Sequence, residues 1–231
     1  MYGVKGDRFP VAPGQVWAVG EHLIGCGDLE GGDGERFLAL AARRTGRAPS
    51  LFYADPPWSP AFITRFRQGA GVAQTPEHTV QSVVQRIVRL SYPHPVFFEM
   101  GTTYGLPQVH RWVFDLGLKY PGTTWEECWP IKYSGKPAQL FLFGAPQPPP
   151  ANFAGLDDAL TPGVAMECYS EPGEVVVDPC LGLGCTARHA QRLGRACWGL
   201  ELHPRRCSSA LADLERMTKL TPTLVGVLED G

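Results

Sequence analysis

The 231-residue chain has no run of 18 consecutive apolar residues, so it offers no helix suited to crossing a bilayer. Residues 1–11 mix charge with proline and lack the apolar core of a secretory signal. A cytoplasmic protein without a membrane partner is the expectation. Cysteine-x-x-cysteine pairs are missing as well. The seven cysteines are an odd number and scattered, whereas zinc sites and disulfide frameworks show paired spacing. These thiols are expected to be reduced and mostly buried. His78, His94 and His110 have no ligand-like spacing, so no metal site is expected. Nor is there an excess of positive charge: 21 Lys and Arg face 23 Asp and Glu, a net charge of −2. Non-specific affinity for nucleic acid comes from cation–phosphate contacts. The charge balance therefore argues against tight non-specific DNA binding, and a local basic stripe remains open.

What is present fits one core. The chain is 44% hydrophobic and 19% charged, without internal repeats, and reads as a single domain over residues 1–231. Short strands are expected at Val16–Val19, His22–Cys26, Ser50–Ala54, Val96–Glu99, Glu174–Val177 and Ala196–Leu200. Helices are expected at Phe37–Arg44, from Thr79 onward with Val80, Val83, Val84, Ile87 and Val88 on one face, and at Pro107–Leu116, Val164–Tyr169 and Thr186–Leu193. A last helix carries Cys207, Ala210, Leu211, Leu214 and Met217 on one face. Residues 59–76 read as a mobile loop. Trp125–Tyr133 and Ala138–Phe143 flank Ser134-Gly135 and read as a hairpin. This alternation of strand and helix predicts an α/β fold. Its mostly parallel sheet would be covered by helices on both faces, with an antiparallel hairpin at one edge.

Two motifs carry chemistry. The first joins a strand to a helix through Asp178-Pro179-Cys180-Leu181-Gly182-Leu183-Gly184. Glycines there permit a sharp turn and let a ligand lie against the backbone. Glu201 ends the next strand, where a carboxylate can accept both hydroxyls of a ribose. The pattern points to an adenosine-containing cofactor. Gly182, Gly184 and Ala187 also fit the dinucleotide spacing, but Asp178 would repel a pyrophosphate. It suits the ammonium and sulfonium of S-adenosylmethionine, which has no phosphate. The bland alternative is a structural glycine turn without a ligand.

The second motif, Asp55-Pro56-Pro57-Trp58, closes a hydrophobic strand. Two prolines stiffen the turn, and Pro57 has no N–H to offer it. The Asp55 carboxylate and the Pro56 carbonyl would form a two-acceptor site for the two donors of an exocyclic amino group. Such hydrogen bonds favour a more tetrahedral, nucleophilic nitrogen and stabilise the positive charge that grows on it. Trp58 can stack on a base. The alternative is a proline-stopped strand with an incidental tryptophan.

Together these residues resemble the amino-methyltransferases of DNA and RNA. That family pairs an Asp-Pro-Pro-Tyr/Trp motif with an Asp-Pro-Phe-x-Gly-x-Gly-Thr motif. The order here, catalytic motif before cofactor motif, is similar to the beta group of bacterial and phage enzymes. So is Gly14-Gln15-Val16-Trp17 followed by His22 to Asp28. The resemblance implies a Rossmann-like methyltransferase fold and S-adenosylmethionine as cofactor. It further implies Asp55, Pro56, Pro57 and Trp58 as the catalytic set. Asp178, Pro179, Cys180, Gly182, Gly184 and Glu201 would contact the cofactor, with Asp28 near its adenine. Thr161-Pro162 would pack on the methionine moiety.

Some positions depart from the family pattern. Cys180 stands in place of Phe, Cys185 in place of Thr, leaving Thr186 to cap the helix, and Trp58 in place of the more frequent Tyr. Only residues 144–160 stand where a target-recognition domain often lies, too few to form one. Recognition would then come from the 59–79 loop with Arg65 and Arg67, from Lys132 and Lys136 at the hairpin tip, or from a second subunit, whether homodimer or partner. The expected substrate is nucleic acid, DNA adenine N6 first. Cytosine N4, RNA adenine N6 and a non-catalytic supporting subunit remain as alternatives.

Overall fold

The computed structural model describes residues 8–119 and 124–228, so residues 1–7 of the N-terminal stretch lie outside the described residues. In chain order the elements are β1 (Gln15–Val19), β2 (His22–Cys26), α1 (Asp33–Thr45), β3 (Pro49–Ala54), α2 (Pro60–Ala70), α3 (Val80–Ser91), β4 (Val96–Gly101) and α4 (Leu106–Phe114). They continue with β5 (Trp125–Tyr133), β6 (Lys136–Ala145), α5 (Thr161–Tyr169), β7 (Val175–Asp178), α6 (Cys185–Arg192), β8 (Ala196–Glu201), α7 (Pro204–Thr218) and β9 (Thr223–Val227).

The strands form one sheet in the order β5-β6-β4-β3-β7-β8-β2-β1-β9. Its centre, β4-β3-β7-β8-β2, is parallel throughout. The central strands are apolar on both faces, as strands buried between two helical layers must be. Val175 and Val177 of β7 join one core with α1, α3 and α4, while Val176 joins the other with α5, α6 and α7. The helices follow their stripes. On α3, Val80, Val83, Val84, Ile87 and Val88 are all buried, and Thr79 and Ser82 cap the start reciprocally. On α7 the predicted face is buried from Cys207 to Leu214, with Met217 half-buried.

Antiparallel pairing occurs at both edges of the sheet, not at one. The β5–β6 hairpin pairs with β4, and at the far side β1 pairs with both β2 and β9. Strand β9 escaped the sequence reading because its five residues are half-exposed and show no alternation of apolar and polar positions.

The expected mobile loop at 59–76 is corrected too: it contains α2. Ser59 accepts from the Phe62 N–H, Pro60 occupies the first turn, and Gly71 closes the helix in the left-handed region. Only Ile63 and Arg67 of α2 are fully buried, so it lacks a continuous apolar stripe.

Candidate active site

The glycine turn is built from backbone. Strand β7 ends on Asp178. Gly182 and Gly184 then take φ of 58° and 82°, the left-handed region that glycine enters without strain. A Cβ on Gly184 would also meet Ala210 Cβ of α7 at 3.0 Å. The Leu181 N–H donates to the Leu200 carbonyl at 2.9 Å, tying the turn to β8. Glu201, at the end of β8, accepts from Gly182 N–H and His203 N–H, both at 2.8 Å. Asp178 accepts from Cys180 N–H at 2.9 Å. Thr186 does not cap α6 as expected. The N-cap is Gly184, without a side-chain bond, and the Thr186 hydroxyl serves Asp178 instead.

Burial pushes Asp178 up to about 7 against these two donors, and raises Glu201 as well. The half-buried Cys180 thiol beside them is raised by burial and by the Asp178 charge.

The Asp55 turn is built from side chains far apart in sequence. Asp55 follows β3. Its Oδ1 accepts from Trp58 Nε1 at 3.1 Å, and its Oδ2 from the Tyr133 hydroxyl, 78 positions away, at 2.9 Å. Tyr133 meets Trp58 edge to face, with centroids 4.4 Å apart and planes at 79°. The Trp58 ring lies against Gly101, where a Cβ would come within 2.9 Å of its Cε3. Burial raises Asp55 to about 6, opposed by its two donors.

On β4, the register that pairs Ala54 with Phe98 brings Glu99 beside Asp55. Glu99 accepts from the Tyr53 hydroxyl and, at 2.5 Å, from Thr161 Oγ1. Burial first, and then the Asp55 charge, push it up to about 8.

Both turns open into one cavity of about 400 Å3. Strand order explains this, since β3 and β7 are parallel neighbours whose carboxyl ends lie side by side. Asp28, Asp55, Pro56, Pro57, Trp58, Asp178, Pro179, Cys180, Gly182 and Glu201 all line it. Gly184 stands behind the lining, against α7.

The four basic residues divide. Arg67 is buried and committed: it donates to Asp28 at 3.1 and 2.8 Å, to the Ala73 carbonyl at 2.8 Å, and lies 3.5 Å from Glu30. It sits on α2 as the cavity's internal counter-charge. Arg65 is exposed on the same helix, and Lys132 and Lys136 are exposed on the hairpin.

Several lining residues carried no signal of their own in the sequence. Glu99 sits in an apolar strand, Asp158 in a turn, and Arg206 at the start of a helix with its guanidinium 4.5 Å over the Phe66 ring. Tyr133 was visible only as part of a hairpin tip.

No family model matches the chain, and no curated protein matches it. Solved structures do. TTHA0409 from Thermus thermophilus, complexed with S-adenosyl-L-methionine, is similar with a TM-score of 0.55. The identity is 17%, over 91% of this chain and 99% of that one. M1.HpyAVI gives 0.53 at 13% identity, over 85% and 98%. The PvuII DNA methyltransferase, cytosine-N4-specific, gives 0.50 at 14%, over 92% and 95%. At these identities the likeness is one of fold, and the chain has the mixed α/β fold of these proteins.

Proposed function

We propose that the protein is an S-adenosylmethionine-dependent methyltransferase acting on the exocyclic amino group of a nucleic-acid base, with N6 of adenine in DNA as first substrate. The observation that carries this reading is the shared cavity. A two-donor-matched acceptor turn at Asp55 and an adenosine-suited turn at Gly182 and Glu201 face the same space. M1.HpyAVI has also been solved as a complex with S-adenosylmethionine, which supports the same cofactor here.

The lining fits that cofactor. Glu201 presents a carboxylate at the end of β8, and the glycine turn at Gly182 lines the cavity beside it. The acids Asp28, Asp55, Asp178 and Glu201 favour a cation over a pyrophosphate, while Arg67 is spent on Asp28. Bound S-adenosylmethionine would supply the methyl group as an electrophile.

The chain's own residues do the rest. Above about pH 6 Asp55 is ionised and acts only as an acceptor. A carboxylate has roughly four acceptor positions, so its bonds to Trp58 and Tyr133 leave room for an amino N–H. The Pro56 carbonyl is the second acceptor of this scheme. Positive charge grows on the amino nitrogen only as its bond to the methyl group forms and the sulfur–methyl bond would break, so Asp55 stabilises the transition state more than the ground state, and the proton that the nitrogen then sheds passes to solvent. Trp58 offers its ring as the stacking platform.

The same acceptors suit N4 of cytosine, and the cytosine-N4-specific PvuII neighbour keeps that base as the second reading. Recognition is left to surface groups or to a second subunit. The 144–160 connection is used as a brace: Gly155 N–H, Lys132 N–H and Asp158 N–H bond it along β5 at 2.7–2.8 Å. Because the base must leave its stack to reach Asp55, labelled methyl transfer should be faster to single-stranded or mismatched DNA than to intact duplex. Absence of transfer to any DNA or RNA, by protein that binds the cofactor, would reject the reading.

A further inference from the structure

Asp55 takes a hydrogen bond from outside its own turn, and the donor is Tyr133. It comes from a hairpin whose sequence marked it only as a surface tip. Several bonds fix its place. Ser134 and Gly135 make the turn at φ 48° and 78°, the two-residue geometry whose twist matches a β-hairpin. Ser134 N–H donates to Asp158 Oδ1 at 2.9 Å. Lys132 N–H donates to the Leu156 carbonyl, and Asp158 N–H to the Lys132 carbonyl, each at 2.7 Å. Tyr133 is thus bracketed on both sides by bonds to the connection that precedes α5. Its hydroxyl reaches Asp55 Oδ2 at 2.9 Å while its ring meets the Trp58 ring edge to face.

Building on the amino-methylation reading above, we propose that Tyr133 is a positioning residue. It orients the Asp55 carboxylate and the Trp58 ring toward the incoming base, and so makes the β5–β6 hairpin a working part of the site. A phenol donor on one carboxylate oxygen and an indole donor on the other hold the carboxylate plane. They also favour its charged form against burial. Besides the Trp58 donor, the groups that interact with Asp55 are Glu99 on β4, Asp178 on β7, Cys180 in the glycine turn, Asp158 before α5, Arg206 on α7 and Tyr53 on β3. Of the donors, Tyr133 opposes the burial effect most.

The test is Tyr133→Phe, which keeps the ring and removes only the hydroxyl. Losing a hydrogen bond to a charged group should move the acid limb of the rate–pH profile up by about one unit. The rate at pH 6 should then fall about fivefold and recover to within about threefold at pH 8.5. Cofactor affinity and the melting temperature should stay near the wild-type values. Trp58→Phe, which removes the longer bond, should move the limb by less. The Asp55 carboxyl titration, followed by NMR in both proteins, reads the same contact without catalysis. If the wild type transfers no methyl group, that titration still decides the Tyr133–Asp55 link. If the wild type is active and the Tyr133→Phe profile and titration overlay it, Tyr133 does not position Asp55, and the amino-methylation reading stands without it.

Discussion

The two halves of the cavity are made in opposite ways. Around Gly182 the site is backbone: two left-handed glycines, N–H donors to Glu201 and Asp178, and a strand end on either side. Around Asp55 it is side chain on side chain: Trp58 from the same turn, Tyr133 from a hairpin, Glu99 from the next strand, and Arg206 from α7. A backbone cradle tolerates changes in most of the side chains around it. A side-chain cluster depends on each member. The cofactor half should therefore answer to few substitutions, at glycine and glutamate, and the base half to many.

The largest expected effect is at Asp55. In the proposed reaction Asp55 is a charged acceptor that acts mainly in the transition state, and Asp55→Ala removes it. By analogy with a lost oxyanion-hole donor, single-turnover methyl transfer should slow by about two to three orders of magnitude. Calorimetry with S-adenosylhomocysteine should show nearly unchanged affinity, because the proposed cofactor cradle lies on β7 and β8. Equal losses in rate and affinity would erase the distinction between the halves.

On the other side, Glu201→Ala should weaken cofactor binding by about ten- to a hundredfold, the cost of bonds to a charged acceptor. The fold should persist, as measured by its circular dichroism. Unchanged affinity would take Glu201 out of the ribose role.

Arg67 separates structure from substrate contact. Arg67→Met leaves Asp28 and Glu30 without their buried counter-charge and should cost about 3 kcal/mol of stability. The salt dependence of nucleic-acid binding should be unaffected. A reduced salt slope would return Arg67 to the phosphate-binding set with Arg65.

The last expected effect is on pH. Asp55 and Asp178 titrate higher in the fold than in an unfolded chain, near 6 and 7 against 3.8. The folded protein then binds more protons than the unfolded chain between about pH 4 and 7, so the empty protein loses stability as pH rises through that window. The rate of the proposed methyl transfer, which uses ionised Asp55, should run the other way and fall as pH drops through about 6. Chemical denaturation at pH 5 and 8 checks the first statement, with the empty protein expected to be the more stable at pH 5.

The same contrast explains what could be read from sequence. The Asp178–Gly184 turn, Glu201 and the Asp55–Trp58 turn are local patterns, and the structure brings them into one cavity as strand order requires. The parallel centre and the α3 and α7 faces were legible because period-3.6 and fully apolar runs are strong signals. Helix α2 was misread because Arg67 occupies its buried face. An arginine there looks like solvent contact until Asp28, 39 positions away, is placed beside it. Tyr133, Glu99 and Arg206 carry no local mark. Their roles exist only after the sheet sets β4 beside β3 and the hairpin beside β4, and α7 brings Arg206 to the same cavity.

The central claim is that a methyl group passes, within one cavity, from a cofactor on the Glu201 side to an amino nitrogen held at Asp55. The most direct measurement is mass spectrometry of nucleosides recovered from DNA and RNA after incubation with methyl-labelled S-adenosylmethionine. The account predicts label on an exocyclic amino nitrogen, N6-methyladenine from DNA first, and its loss in Asp55→Ala. Label on a ring carbon, ring nitrogen or ribose, or full labelling by Asp55→Ala, would contradict it.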